Sequence, residues 1–423
     1  MSIVKKILNH SLWLLIGSMI GKLSMFLTNI LAARLLTQDL FGQFMIVRST
    51  ISMLEGIVSG SLGSSMIKRV AEIKNKDEEH LKIIITTLFF VNISITLLLA
   101  ICLFLIAPYI VNVFFMSNQN LLYGLYTGSL LLVSTTLSTL IQSILIGFEE
   151  YKKIAFAGIV ASVISFPIIA FLIYKYAFLG AIFGVSFYFF VDFIMKYYQF
   201  KHFYKNRMIF DNIKAILKES KYLLSFSAPL FLSVVITSTT FWYSRVLTVQ
   251  DTKGFESIAI FDAAFQWLSI IMIITGATTS AALPMLSKTV SLDTKDSNNI
   301  FKINLVVNLL ISISMALIFI FFSKYIMAIY GEKYISGYKN LIILSITSVF
   351  FTLASVYNKY MIATHNSKVV FIATALSAIA LFTTYYLYIF NGSENLAFSI
   401  LVYYFTSVLC YILIKLYKEK KDA

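Results

Sequence analysis

Among the charged residues inside otherwise apolar stretches of this chain are Lys22, Arg48, Glu55, Asp262 and Lys359. Each belongs to a polar stripe at helical spacing, because positions i, i+4, i+7 and i+11 fall on one face of a helix. Ser11, Ser18, Lys22 and Asn29 form the first stripe, within about 40° at 100° per residue. Arg48, Ser52, Glu55 and Ser59 form the second, and Ser233, Thr237, Thr240 and Ser244 a third. Asp262, Gln266 and Ser269 form another, and Ser345, Ser348, Thr352, Ser355 and Lys359 the last. A charge facing lipid at mid-membrane costs at least about 2.5–3.5 kcal/mol. Such residues are therefore expected to face protein or a wet cavity. Lysine and arginine in a low-dielectric cavity suit a phosphate or pyrophosphate group. Glu55 and Asp262 are candidate carriers of a coupling proton, since burial favours a protonated carboxyl. The predicted cavity set is thus Lys22, Asn29, Arg48, Glu55, Asp262, Gln266 and Lys359.

Blander readings stand beside this one. Lys359 lies near a span end, within snorkelling reach of the surface. Arg34 and Arg245 read as interfacial anchors at outer span ends. Serine and threonine on the stripes also permit close helix packing. The four histidines, His10, His80, His202 and His365, are scattered and read as solvated surface residues with no metal-ligand spacing. Cys102 and Cys410 sit in apolar runs and read as small core residues, with no disulfide framework.

The elements that must carry these residues are membrane helices. The chain has 423 residues, 59% hydrophobic and 13% charged, where soluble domains carry about 25% charged residues. A soluble, nucleic-acid-binding or disulfide-rich secreted protein is excluded on that basis. A span takes roughly 20 apolar residues. Apolar runs fall at 12–33, 44–66, 83–107, 121–147, 154–174, 177–199, 222–247, 258–283, 303–322, 341–363, 368–390 and 396–417. They are too long for core strands, and lipid admits only helices or closed barrels. The first run contains Lys22 and reads as a span, not a cleavable signal.

Lysine and arginine set the orientation. With the N-terminus cytoplasmic, 24 of the 34 basic residues fall on inside segments and seven on outside ones. Both termini are therefore expected to be cytoplasmic. The net charge of +14 becomes a matter of topology and anionic headgroups. The lysines of 323–340 fit this topology least well.

The longest connection, 200–221, is basic and lies at the midpoint, which prompts a search for a repeat. The run from Arg34 to Asp39 resembles that from Arg245 to Asp251. Further on, Arg48, Ser52 and Glu55 match Asp262, Gln266 and Ser269, and the turn at Ile146–Glu149 matches Ile362–His365. Chance likeness among apolar helices is the bland alternative. The expected organisation is a six-helix lobe over 1–199, a cytoplasmic linker over 200–221 and a second six-helix lobe over 222–423. The lobes form a parallel pseudo-repeat around a central cavity. Arg48 and Asp262, as repeat mates, are predicted to pair as an outer gate.

The run Ala33 to Phe44 (Ala-Arg-Leu-Leu-Thr-Gln-Asp-Leu-Phe-Gly-Gln-Phe), followed by a span ending Met66-Ile-Lys-Arg-Val-Ala-Glu72, resembles the opening of bacterial polysaccharide flippases. These are the O-antigen (Wzx-type) members of the multidrug/oligosaccharidyl-lipid/polysaccharide (MOP) exporter superfamily. Tyr330-Gly-Glu-Lys-Tyr334 and the run Asn358 to Lys368 resemble further family segments. The resemblance implies an all-α, MATE-like membrane fold of twelve helices and residence in the bacterial cytoplasmic membrane. It also implies transfer of undecaprenyl-pyrophosphate-linked glycan from the inner to the outer leaflet by alternating access. The expected protein is a monomeric transporter and not an enzyme. It takes no cofactor beyond H+ or Na+ coupling, and its partners are the lipid-linked glycan, membrane lipids and glycan polymerase or ligase machinery. Lys22 and Arg48 fit a cationic cavity; Asp262 departs from it. Lipid II flippases of the superfamily commonly carry extra C-terminal spans, whereas the twelfth run here is the last. A drug or metabolite antiporter of the same superfamily remains the first alternative. A membrane glycosyltransferase, polymerase or ligase is the second, although the outside loops are short for one.

Overall fold

The computed structural model describes residues 21–74, 78–203, 213–252, 254–291, 296–364 and 366–422. Ser11, Ser18, His10, His365 and the centre of the basic connection lie outside the described residues. Among the described residues all regular structure is helical. Helix α1 covers 21–35. It is followed by α2 (Gln38–Ile73), α3 (Glu78–Phe114), α4 (Gln119–Gly147), α5 (Tyr151–Phe203), α6 (Ile213–Thr252) and α7 (Glu256–Ser291). Then come α8 (Asp296–Phe321), the short α9 (Ser323–Ala328), a 3₁₀ turn (Glu332–Gly337), α10 (Tyr338–Ala363), α11 (Ser367–Tyr386) and α12 (Gly392–Asp422). Hydrocarbon offers no partner for a bare peptide group, so each spanning segment must bond its own backbone. At the start of α4 a side chain caps the helix: Asn118 accepts from the Leu121 N–H at 3.0 Å.

Among the described residues eight helices are long and apolar enough to cross a membrane: α3, α4, α5, α7, α8, α10, α11 and α12. Helix α5 has 53 residues. A straight helix of that length would run about 80 Å, more than twice the hydrocarbon thickness. It breaks instead at Ala177, whose φ of 46° and ψ of −122° are not helical. Beyond the break the chain returns on itself. A Cβ on Gly180 would lie 1.9 Å from the Leu172 carbonyl oxygen, and one on Gly184 3.1 Å from Ile169. The two arms of α5 therefore match the predicted spans 154–174 and 177–199. Helices α2 and α6 are not among these eight. The expected count of twelve rests on sequence for these two and for α1.

The chain divides into two compact units, Met1–Leu36 with Gln43–Ser238, and Thr37–Gly42 with Thr239–Ala423. In the first, α4 packs against both α3 and α5. Its apolar core joins Met66 and Val70 of α2 to Leu81, Ile84 and Leu88 of α3 and Ile141 and Leu145 of α4. In the second, α10 is central and packs on α7, α8 and α12, while α11 packs on α12. The 323–340 stretch, the weak point of the predicted topology, is a packed cap. Tyr330, Tyr334 and Met327 are buried there. Gly331 adopts φ 124°, open only to glycine without strain. The first turn of α2 belongs to this unit: Gln38 donates to the Lys333 carbonyl at 2.9 Å, and Phe41 meets the Tyr334 ring edge-on at 5.9 Å. Two of the family-like sequence segments thus meet.

The hairpin in α5 predicts that Gly180→Ala cannot be absorbed, because the obstacle is backbone. Overpacking of this kind costs at least about 1–3 kcal/mol. The thermal midpoint of the detergent-purified protein is expected to fall by several degrees. Gly276→Ala, with nothing within 4 Å of the new Cβ, is expected to leave it unchanged or raise it.

Candidate functional site

The first unit brings two predicted residues together. Arg48 Nη1 on α2 donates to Asn29 Oδ1 on α1. The Arg48 guanidinium also lies over the Phe44 ring, 5.7 Å from its centroid, one helical turn back. Among its contacts the guanidinium thus has a neutral acceptor and a ring face. Glu55, seven residues on, shares that face and interacts electrostatically with Arg48. Lys22 is exposed on α1, where its neighbour Gly21 leaves room for the Tyr188 hydroxyl. Among the described residues Lys22 makes no ion pair. Ser52 is exposed on the same helix as Arg48; the side chain of Ser59 lies outside the described residues.

The second unit changes one reading. Arg245 is no interfacial anchor: its side chain is 8% exposed and faces Asp262 of α7. Its Nη2 donates to Asp262 Oδ1 at 2.8 Å and its Nε to the same oxygen at 3.2 Å. Nη1 donates to the Phe241 carbonyl at 3.0 Å. The rings of Phe261 and Phe265 flank the guanidinium at 5.2 and 5.1 Å. The reason is elementary: a buried guanidinium demands a carboxylate and further acceptors. The next turn of α7 carries Gln266, whose Oε1 accepts from Tyr330 at 3.2 Å. Its Nε2 is buried with no hydrogen-bond partner among the described residues. Asp262 and Gln266 are therefore each engaged by a residue outside the predicted set.

The hydroxyl stripes divide by role. Ser345, Ser348 and Thr352 are buried on α10 and donate to carbonyls three or four residues earlier. They are packing residues that let α10 sit among its neighbours. Thr237 and Ser244 donate to their own helix in the same way. Lys359 is half-buried at the far end of α10 and, among the described residues, makes no ion pair. Beside it, Lys415 of α12 lies over the Phe301 ring at 4.2 Å and over Tyr360 at 5.2 Å.

Two charged clusters escaped the sequence reading. Lys196, counted there as a cytoplasmic basic residue, is buried against Asp192, with Nζ 2.5 Å from Oδ2. The i, i+4 spacing of opposite charges at the end of a span was the available signal. The orientation count loses one residue and keeps its sign. At the end of α2, Arg69 grips Glu219 of α6 through both carboxylate oxygens, at 2.5 and 3.1 Å. His80 Nε2 lies 3.3 Å from the Arg69 Nη2. His80 is thus part of a charged cluster and not a freely solvated residue. No spacing in the sequence pointed to that contact, which spans 150 positions.

With this geometry in place, the comparisons with known proteins take on meaning. Residues 7–290 match the model of a family described as polysaccharide biosynthesis protein. No curated protein matches the chain. Its fold is similar to that of an inward-facing multidrug-resistance MATE family transporter of the MOP superfamily. The TM-score is 0.73 at 14% identity, covering 95% of this chain and 94% of the other. It is equally similar to the lipid II flippase MurJ in an inward closed conformation, with TM-score 0.73 and 16% identity over 94% of this chain and 86% of that one. A MOP superfamily transporter from Pyrococcus furiosus, described by the reverse polarity of its binding pocket, matches with TM-score 0.71 and 14% identity over 98% and 95%. At these identities the likeness establishes a common fold.

The Arg245–Asp262 pair yields a quantitative expectation. Removing one partner strands a buried charge, at about 3–5 kcal/mol, whereas removing both does not. Arg245→Met and Asp262→Leu are each expected to lower the thermal midpoint by roughly 10 °C. The double variant should recover most of that loss. Additive losses would show that the two side chains act independently.

Proposed function

The chain belongs to the polysaccharide biosynthesis protein family, and on that premise we propose that it is a flippase for lipid-linked oligosaccharide. Its substrate is undecaprenyl-pyrophosphate-linked glycan of the O-antigen, capsule or exopolysaccharide type. The carrying observation is Lys22, a lysine at membrane depth on α1 with no carboxylate partner among the described residues. A cation left in hydrocarbon without an anion is costly, and a pyrophosphate would supply one. Arg48, held by a neutral asparagine and a ring face, adds a second cation in the same unit. Asn29 orients Arg48 and is therefore part of the headgroup site.

In this reading the lobes 1–199 and 222–423, joined by 200–221, rock to expose the headgroup to each leaflet in turn. The polyprenyl tail stays in lipid. The protein resides in the bacterial cytoplasmic membrane with both termini cytoplasmic, and works as a monomer beside polymerase or ligase partners. Glu55 is the better candidate for H+ or Na+ coupling, because Asp262 is already neutralised by Arg245. Gln266 and Lys359 complete the polar lining in the second half. Outer-gate closure by Arg48 and Asp262 requires Asp262 to exchange Arg245 for Arg48.

The test is deletion of the gene in its native host, with staining of surface glycan and assay of lipid-linked intermediates. Loss of glycan, with intermediates retained on the cytoplasmic side, is expected. Rescue should succeed with the wild-type chain and fall at least tenfold with Lys22→Ala or Arg48→Ala. Normal glycan with altered drug export would replace this reading by an antiporter. Intermediates already on the outer face would replace it by a polymerase or ligase. For the gate, reversal of both charges in Arg48→Asp with Asp262→Arg should restore more transport than either single reversal retains. Additive losses would leave Arg245 as the only working partner of Asp262.

A further inference from the structure

Inside the first unit, α4 and the returning arm of α5 enclose an ammonium group. Lys196 Nζ donates to Asp192 Oδ2 at 2.5 Å, to Gln142 Oε1 at 2.8 Å and to Ser138 Oγ at 3.2 Å. A lysine ammonium has three donors and no acceptor, so the three oxygens satisfy it fully. Ser138 in turn donates to Asp192 Oδ2 at 2.5 Å. The Asp192 and Lys196 side chains are each only 5% exposed. Tyr188, one turn before Asp192, interacts electrostatically with it.

The donor set is one carboxylate, one amide carbonyl and one hydroxyl oxygen. Those are the hard oxygen ligands that suit alkali and alkaline-earth cations. The charge also balances, with one carboxylate and one monovalent cation. The three oxygens come from fixed positions: Ser138 and Gln142 are one turn apart on α4, and Asp192 lies on the helix packed against it. A cluster built only to join two helices would be served by a hydroxyl–hydroxyl contact, as Ser377 and Ser407 are at 2.7 Å in the second unit.

We propose that Ser138, Gln142 and Asp192 form a monovalent-cation cage whose cation is tethered, supplied by Lys196. The chain carries this charge covalently, so the first unit needs no sodium or potassium ion there. Shortening the lysine vacates the cage and leaves its three oxygens. The variant then acquires a requirement for a free cation of similar size. This inference is independent of the substrate assigned above, and its test uses no transport.

The experiment compares thermal midpoints of the full-length, detergent-purified protein in sodium chloride and in N-methylglucamine chloride at equal ionic strength. The wild-type difference between the two salts, which includes any sodium coupling at Glu55, sets the baseline, and each response below is read against it. Lys196→Ala should melt lower in N-methylglucamine and recover by roughly 5 °C at saturating sodium or potassium, by binding linkage. Lys196→Ala with Asp192→Asn should lose that recovery. Lys196→Met, which fills the space with a neutral chain, should be destabilised without a cation response. Where Lys196→Ala is too unstable to melt, the readout is the monodisperse fraction after extraction, expected only in sodium or potassium. No response of Lys196→Ala to sodium, potassium or lithium overturns the proposal. So does an undiminished response in Lys196→Met or in the Asp192→Asn double variant, since the ion would then bind elsewhere.

Discussion

A charge carried into hydrocarbon must bring its partner with it. Water is absent there, the dielectric is low, and a lone guanidinium or carboxylate is too costly to keep. Much of the charged architecture in this chain follows from that constraint. Arg245 faces Asp262, Lys196 faces Asp192, and Arg69 faces Glu219, each within one compact unit. Phenylalanine rings complete the shell of Arg245, since Phe261 and Phe265 cover the faces its hydrogen bonds leave open. Against this background Lys22 and Lys359 differ. Neither makes an ion pair among the described residues, and that difference separates paired charges from candidate functional ones.

The same constraint shapes the backbone. Among the described residues every spanning segment is a helix, and between the two arms of α5 the chain turns with a minimum of irregular residues. Ala177 takes the whole reversal of α5 in one non-helical residue, and Gly180 and Gly184 then let the two arms touch. Between α8 and α10 the chain instead builds a buried cap from Tyr330 and Tyr334. That cap reaches Gln266 on α7 and the opening turn of α2, so the two segments that look alike across a family serve one piece of packing. Their conspicuous residues are aromatic and glycine because they fill space and turn sharply.

The weak internal repeat is informative where it fails. Arg48 and Asp262 occupy equivalent positions, yet each has taken a different companion: an asparagine from the preceding helix, and an arginine from the preceding helix. Arg34, the repeat mate of Arg245, is exposed.

The sequence by itself determined the membrane class, the helical architecture and the polar faces, because hydropathy and period are local and survive without coordinates. It also separated the two arms of α5, ending one span at 174 and starting the next at 177, beside the break that the structure places at Ala177. Long-range pairing was not legible. Lys196 looked like another basic residue at a cytoplasmic span end, and His80 like a solvated one. Arg245 looked like an anchor, because its partner is on another helix. Which oxygen lies within 3 Å of a charge depends on how helices rotate and pack about their axes. That rotation is set by the sum of side-chain volumes across each interface, and only the tertiary structure decided it.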